Sequence, residues 1–350
     1  MPVRIGLIGY GLAGATFHAP LIGAVERLQL AAVATSRTGE AARLGSAVRI
    51  EPEPERLISD PSLDLIVVAT PNETHFPLAR DALAAGKHVV VDKPLALNVE
   101  EADALIALAR QAGRLLSPFH NRRWDGDYLT ARELIESGRL GEVMLYEAHW
   151  DRFRPDIKQG WRELPAEGAG LLSDLGPHLV DQALQLFGAP SSISAEVIAQ
   201  RPEAAVDDYF ELTLRYGRMR AVLSASTLVA APRPRFSIHG TGGSFVKYGL
   251  DPQEAMLKAG SSPSRPGFGE DDPSFFGILT TADGRRERIA TKAGRYADYY
   301  EAVADSLLHD GPPPVDPADA LEGLRIIAAA RQDAKSREGT APGSEPSPSP

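Results

Sequence analysis

Three residues of this chain have the types and spacing to move a proton while a hydride leaves carbon: Lys93, Asp174 and His178. His178 closes the run Ser173-Asp174-Leu175-Gly176-Pro177-His178. Pro177 suits the first position of a helix with Gly176 as its cap, and Leu179, Val180, Ala183, Leu184 and Phe187 would then share one apolar face up to Gly188. On that reading His178 lies in the first helical turn, where the helix dipole disfavours imidazolium and leaves the ring able to accept a proton. Asp174, at the entry, either orients the ring or binds a substrate hydroxyl. Taken alone, a histidine near a helix cap is more often structural. Lys93, in Val91-Asp92-Lys93-Pro94, follows an apolar run. An ammonium is costly to hide, so it reaches solvent or lines a cleft, where it can bind a hydroxyl or stabilise alkoxide character. A base, a cation and a carboxylate suit alcohol oxidation, because the hydroxyl proton must leave as the hydride goes.

Hydride chemistry needs an acceptor, and the amino terminus offers a place for one. Gly9-Tyr10-Gly11-Leu12-Ala13-Gly14 follows the apolar run Val3–Ile8 and opens a helical pattern, the context that turns G-x-G-x-x-G into a dinucleotide fingerprint. Gly9 permits the tight turn, Gly11 lets backbone approach a pyrophosphate, and Gly14 permits close helix–strand packing; the amides of Leu12 and Ala13 belong to the helix start that faces the phosphates. About 20 residues further on, an acid would bind the ribose 2′-hydroxyl of NAD. Thr35-Ser36-Arg37 stands there instead, with no carboxylate before Glu40. A hydroxyl and a guanidinium suit a 2′-phosphate, so NADP is favoured over NAD. Thr70-Pro71-Asn72 and His75 lie at the end of a further apolar run, where ligands of doubly wound sheets bind; His75 serves equally well as a helix-start residue without a ligand.

These residues need a frame, and the pattern supplies one. Val3–Ile8, Leu28–Ala34, Leu63–Ala69, His88–Val91 and Leu115–Phe119 read as buried strands, separated by helical patterns over Gly14–Val25, Phe76–Ala85 and Glu100–Gln111. That alternation predicts an α/β Rossmann domain with a parallel sheet over residues 1–120. Residues 121–335 read differently. Leu129–Glu136 is helical, then Val143–Trp150, Ile193–Ala199, Tyr209–Tyr216, Arg218–Leu228 and Arg235–His239 alternate with period two, and helices over Tyr296–Leu308 and Pro317–Lys335 follow. The expectation is an α+β domain with a large open, mostly antiparallel sheet. Residues 336–350, rich in Pro, Ser and Gly, are expected to be a disordered tail.

Composition narrows the function. The chain has 350 residues, 43% hydrophobic and 24% charged, enough for two full cores. A net charge of −10 argues against broad nucleic-acid binding. With no cysteine, a thiolate metal site, a disulfide or a cysteine nucleophile is excluded; no metal site is expected. No apolar run is long enough to span a bilayer and no leader precedes the first strand, so a cytoplasmic location is expected.

Gly9–Gly14, Asp92-Lys93-Pro94 and Asp174…His178 together resemble the glucose–fructose oxidoreductase/inositol dehydrogenase (Gfo/Idh/MocA) family, over about residues 2–335. Lys93 matches the lysine of its E-K-P motif, with Asp92 in place of the usual glutamate, and Asp174 and His178 match its D-x-x-x-H pair. Phe17-His18-Ala19-Pro20, Asn121-Arg122-Arg123-Trp124-Asp125 and Asp151-Arg152-Phe153-Arg154-Pro155 resemble the branch that contains NADP-dependent scyllo-inositol 2-dehydrogenases. The resemblance implies a polyol or sugar substrate, Asn121 near the cofactor, Lys93 and Asp174 on the substrate and His178 as acid or base. It also implies a homodimer or larger homo-oligomer. Trp124, Arg154, Trp161 and Arg162 are weaker substrate-side candidates that suit domain packing or a subunit interface equally well. A reductase of another carbonyl or imine, or a non-catalytic NADP sensor, stays open as an alternative.

Overall fold

The computed structural model describes residues 1–157, 163–166 and 168–338. Trp161, Arg162 and residues 339–350 lie outside that description. The first sheet holds β1 (Val3–Ile8), β2 (Leu28–Ala34), β3 (Arg49–Glu51), β4 (Leu65–Val68), β5 (His88–Asp92) and β6 (Leu116–Phe119), all parallel, in the order β3-β2-β1-β4-β5-β6. The central strand β4 is apolar and buried throughout because both faces are covered. Leu65 and Val67 enter one apolar cluster while Ile66 and Val68 enter the other. Chain order reverses between β1 and β4, the place where doubly wound sheets open a crevice at their carboxyl ends. β3, three residues at the edge and half exposed, carries too little apolar pattern to be read from sequence.

Helical structure runs from Leu12 to Gly23, with a π-helical turn over Gly14–His18 and α1 over Ala19–Gly23. Short helices α2 (Thr38–Ala41) and α3 (Pro54–Ile58) precede α4 (His75–Ala84) and α5 (Val99–Ala112). α5 is capped by the Asn98 side chain on Glu101 N and stopped by Gly113 in the left-handed region.

After α6 (Gly126–Glu136) and β7 (Val143–Asp151) comes α7 (Leu171–Phe187). Then follow β8 (Ser192–Ile198), β9 (Tyr209–Tyr216), β10 (Met219–Ser226), β11 (Phe236–Gly240) and β12 (Gly243–Lys247). α8 (Gln253–Lys258), β13 (Gly277–Thr281), β14 (Arg286–Ile289), α9 (Ala297–Leu308) and α10 (Pro317–Glu338) follow among the described residues. Among the described residues the second sheet has eight strands in the order β14-β13-β12-β11-β7-β10-β9-β8, antiparallel except for the β7–β10 pair. Phe210, Leu212 and Leu214 of β9 turn into a core shared with Leu172, Leu175, Leu179, Val180 and Ala183 of α7.

The last two helices do not belong to the second domain alone. Tyr299, Tyr300, Val303 and Ala304 of α9 pack into the Rossmann core with Leu21, Ile22 and Phe119. α10 contributes Ala320 and Leu321 to the other Rossmann cluster, then Ile326, Ile327 and Ala330 to the second-domain core. It also runs through residues 336–338, where the tail was expected to begin; Arg337 donates to Asp333 one turn back at 2.9 Å. Among the described residues no helix is long and apolar enough to cross a membrane.

Candidate active site

The three glycines of the fingerprint do three different jobs. Gly9 adopts φ +98°, and a Cβ there would lie 2.3 Å from the Ala69 carbonyl oxygen. A Cβ on Gly14 would lie 2.1 Å from the Gly9 carbonyl oxygen, so this glycine lets the helix close onto its own loop. A Cβ on Gly11 would meet nothing within 4 Å. Its outer side is open, which is what a pyrophosphate approaching backbone requires. The cleft beside it has a volume of about 660 Å³ and is lined by Gly9, Gly11, Leu12, Ala13, Ser36, Arg37, Thr70, Pro71, Asn72, Asp92, Lys93 and Asp174. These residues fit a dinucleotide. Arg37 stands at its far end with its side chain 58% exposed and 3.7 Å from Glu40, and its amide donates to Thr35 Oγ1 at 3.0 Å. His75 does not line the cleft. Its ring is buried and spans the carbonyls of Thr70 (2.9 Å) and Pro94 (2.8 Å), bracing the two loops that do.

A second cavity, of about 500 Å³, opens from the first at Leu12, Ala13, Asp92, Lys93 and Asp174, and reaches Asn121 and His178. Lys93 begins a loop after β5, with a cis bond to Pro94. Its Nζ donates to the Asp174 carbonyl at 2.7 Å and to Asp174 Oδ1 at 3.1 Å. An ammonium has three donors, so one remains for a ligand. Asp92 accepts from the Lys93 amide at 2.8 Å and lies 3.8 Å from His18. Burial pushes its carboxyl upward, but His18, His75 and Lys93 outweigh burial and hold it below the usual carboxylate range. His18 in turn meets the Tyr300 hydroxyl at 2.6 Å, which ties the cofactor side to α9.

His178 is where the sequence reading needs correction. It is the eighth residue of α7 and not in the first turn: the helix starts after Gly170, and Pro177 sits inside it. Asp207, from the loop before β9, caps the start, its Oδ2 accepting from Leu172 N at 2.6 Å and its carbonyl from Leu171 N at 2.8 Å. Gly176 is no cap; a Cβ there would lie 2.8 Å from Ile327 Cδ1, so it lets α10 approach α7. The ring is held neutral for a different reason from the one expected. Burial lowers its pKa well below the ordinary value, and Lys93, Arg122, His120 and Arg235 add to the effect. Its Nδ1 is enclosed without a partner among the described residues, so Nε2 is the nitrogen that can meet a substrate. Trp150 stacks on the ring at 6.0 Å between centroids, and His120 meets it edge-on at 6.5 Å.

Of the weaker candidates, Trp124 packs edge-to-face on Tyr299 at 5.5 Å and does not line either cavity. Arg154 does reach the second cavity. Sequence reasoning missed Arg122, Trp150, Arg152, Glu254 and Lys258, which line it as well. Arg122 lies over the Trp150 ring at 4.6 Å and donates to the Tyr296 hydroxyl at 2.6 Å and to Glu254. Burial opposes ionisation of Glu254, but Arg122 and Lys258 hold its carboxyl down at about 2. Trp150 lies within β7, and Arg152 could have been found by carrying the period-two pattern of β7 one residue beyond its end. Glu254 and Lys258 ride on α8, whose six residues give no sequence signal of their own. Among the described residues no group of acids and histidines is arranged to hold a metal.

Residues 3–120 match the NAD-binding Rossmann domain of the Gfo/Idh/MocA oxidoreductase family, and residues 132–341 match its C-terminal α/β domain. The chain is 45% identical to the oxidoreductase YdgJ of Escherichia coli K12, across 96% of this chain and 97% of that protein. It is 40% identical to the NADP⁺ scyllo-inositol 2-dehydrogenase IolW of Bacillus subtilis 168, across 96% and 94%. The solved structure of the Bacillus subtilis oxidoreductase YvaA superposes with a TM-score of 0.93 at 40% identity, covering 96% of this chain and 97% of that one. Matched by both family domains and by full-length relatives, this chain belongs to the Gfo/Idh/MocA family and is an NAD(P)-dependent oxidoreductase acting on CH–OH groups.

Proposed function

We propose that the protein uses NADP to move a hydride between the nicotinamide and a polyol or sugar, with scyllo-inositol and its 2-keto partner as the first candidate pair. The observation that carries this reading is that Lys93, Asp174 and His178 all line the second cavity, with Lys93 and Asp174 also lining the nucleotide cleft. When bound, the nicotinamide supplies the hydride acceptor or donor. Lys93 offers its remaining N–H to the reacting oxygen, and Asp174 keeps that ammonium in place. His178 Nε2 takes the hydroxyl proton, which requires the ring proton on Nδ1. Trp150 sets the plane of the imidazole and, with Arg122, closes the wall behind it. Ser36 and Arg37, in place of an acid after β2, support NADP, and the named activity of the Bacillus subtilis relative agrees with that choice.

Cofactor absorbance tests the reading with purified protein, scyllo-inositol, myo-inositol and common aldoses, each with NADP⁺ and with NAD⁺. Reduction of NADP⁺ by one polyol is expected. Faster turnover with NAD⁺ would overturn the 2′-phosphate assignment. Reduction of aldehydes or imines with no oxidation of any polyol would overturn the substrate class and leave the hydride chemistry standing.

A further inference from the structure

Trp150, Arg152 and Arg154 occupy alternate positions of one extended segment, so their side chains leave it on the same side. β7 ends at Asp151, yet its backbone goes on pairing. Arg152 N donates to Ser226 O at 2.9 Å, Arg154 N to Thr227 O at 2.7 Å and Val229 N to Arg152 O at 3.1 Å, while Phe153 bridges Leu228. Arg201 supports the same stretch: Nη1 donates to the Asp156 carbonyl at 3.3 Å while Nε holds the buried Asp208 at 2.7 Å. The two guanidiniums are therefore mounted on fixed backbone, at a Cα spacing of about 7 Å.

Charge in the second cavity is not balanced. Lys93, Arg122, Arg152, Arg154 and Lys258 line it, against Asp92, Asp174 and Glu254. Arg122 and Lys258 both pair with Glu254, and Lys93 pairs with Asp174. Arg152 approaches Asp174 only to 3.6 Å, too long for a hydrogen bond. The guanidinium of Arg154 has no hydrogen-bond or ion-pair partner among the described residues. Among the described residues that line the second cavity the surplus positive charge is thus carried by Arg152 and Arg154, which also border a smaller pocket whose acids Glu163, Asp207 and Asp208 pair with Arg201 and Arg331. Burial first, then repulsion from Arg154 and Arg122, disfavour the charged form of Arg152 more than Asp174 and Glu254 favour it. Hydroxyl groups would not relieve that repulsion. An anion would, and guanidinium forks match a carboxylate or phosphate in geometry.

We propose that Arg152 and Arg154 form an anion subsite, so that among the polyols whose CH–OH can react beside Lys93 and His178 one carrying a carboxylate or phosphate group is bound in preference to a neutral one such as scyllo-inositol. The proposal rests on the hydride-transfer reading for the position of the reacting carbon, but binding tests it without turnover. NADP-loaded protein is titrated calorimetrically with hexuronates, with hexose 6-phosphates and inositol monophosphates, and with the neutral parent of each. The carboxylate and phosphate arms tell the two anions apart. At least one anionic compound is expected to bind about 30-fold tighter than its neutral parent, the scale of a charge-assisted pair, with a preference that shrinks as salt rises. Arg154→Met, at an exposed position, is expected to bring that preference below about threefold, with Arg152→Met as the second variant and unchanged NADPH binding as the check on folding. Equal or weaker binding of every anion, or a preference that survives both substitutions, overturns the subsite. Neutral polyols oxidised with NADP⁺ and no anion preference would sink the subsite alone. An Arg154-dependent anion preference without any hydride transfer would sink the proposed function alone.

Discussion

Replacing Lys93 by Met tests the site at two levels at once. The ammonium spends one donor on the Asp174 carbonyl and one on Oδ1, leaving a third for the substrate oxygen. A charged donor aimed at an oxygen that gains negative charge as its proton leaves is worth about 3 kcal/mol, so kcat/KM for polyol oxidation should fall roughly 150-fold. The second effect reaches His178. After burial, Lys93 is the largest influence holding that imidazole well below its ordinary pKa. Oxidation requires the neutral ring, so activity is lost as pH falls through its pKa. Without the ammonium that pKa rises, and the acid limb of kcat/KM must move to higher pH. The assay is NADP⁺ reduction from pH 5 to 9, with thermal melting to confirm that the variant folds. A rate loss with the acid limb unmoved, or moved to lower pH, would show that Lys93 and His178 do not share one electrostatic site. A loss below about threefold would remove Lys93 from substrate contact.

Three further outcomes follow from the geometry. Arg37→Ala should raise the KM for NADP⁺ by about 10- to 100-fold, the range for a charged hydrogen bond, and change the KM for NAD⁺ little; equal effects on both cofactors would place Arg37 away from the 2′-phosphate. Because the His178 pKa is displaced downward, reduction of the ketone, which needs the protonated ring, should speed up as pH falls from 8 to 6 while oxidation stays flat over that range; parallel profiles in the two directions would rule His178 out as the proton carrier. Asp207→Ala removes the side-chain cap on α7 and should cost about 1–2 kcal/mol, seen as a Tm lower by about 2–4 °C; an unchanged Tm would mean that water replaces the carboxylate without loss.

Much of the site was legible because it depends on local chemistry. Gly9 and Gly14 owe their identity to contacts in and beside one βα turn, and the fingerprint reports those contacts directly. Lys93 was readable as a residue of solvent or of a cleft, because an ammonium straight after a buried strand is costly to hide, and the fold places it in the cleft. Trp124 shows the limit. An aromatic near a domain junction can face either way, and only the position of Tyr299 on a helix far along the chain turns it away from the cleft.

Sequence by itself determined the two-domain plan, the nucleotide fingerprint, the missing acid after β2 and the residues able to exchange a proton, since each of these is written in periodicity or in a short run. Tertiary structure decided the rest. It set where α7 begins, because Leu171 and Leu172 both hydrogen-bond to Asp207, a residue distant in the chain that no local pattern connects to them. It decided why His178 is neutral, because burial, three cations and a second histidine from separate elements converge on the ring. It also brought Arg122, Trp150, Arg152 and Glu254 into one cavity. Side-chain type and spacing fix what a residue can do, whereas long-range packing fixes which residues meet and how far each is shielded from water, and that shielding sets their charge.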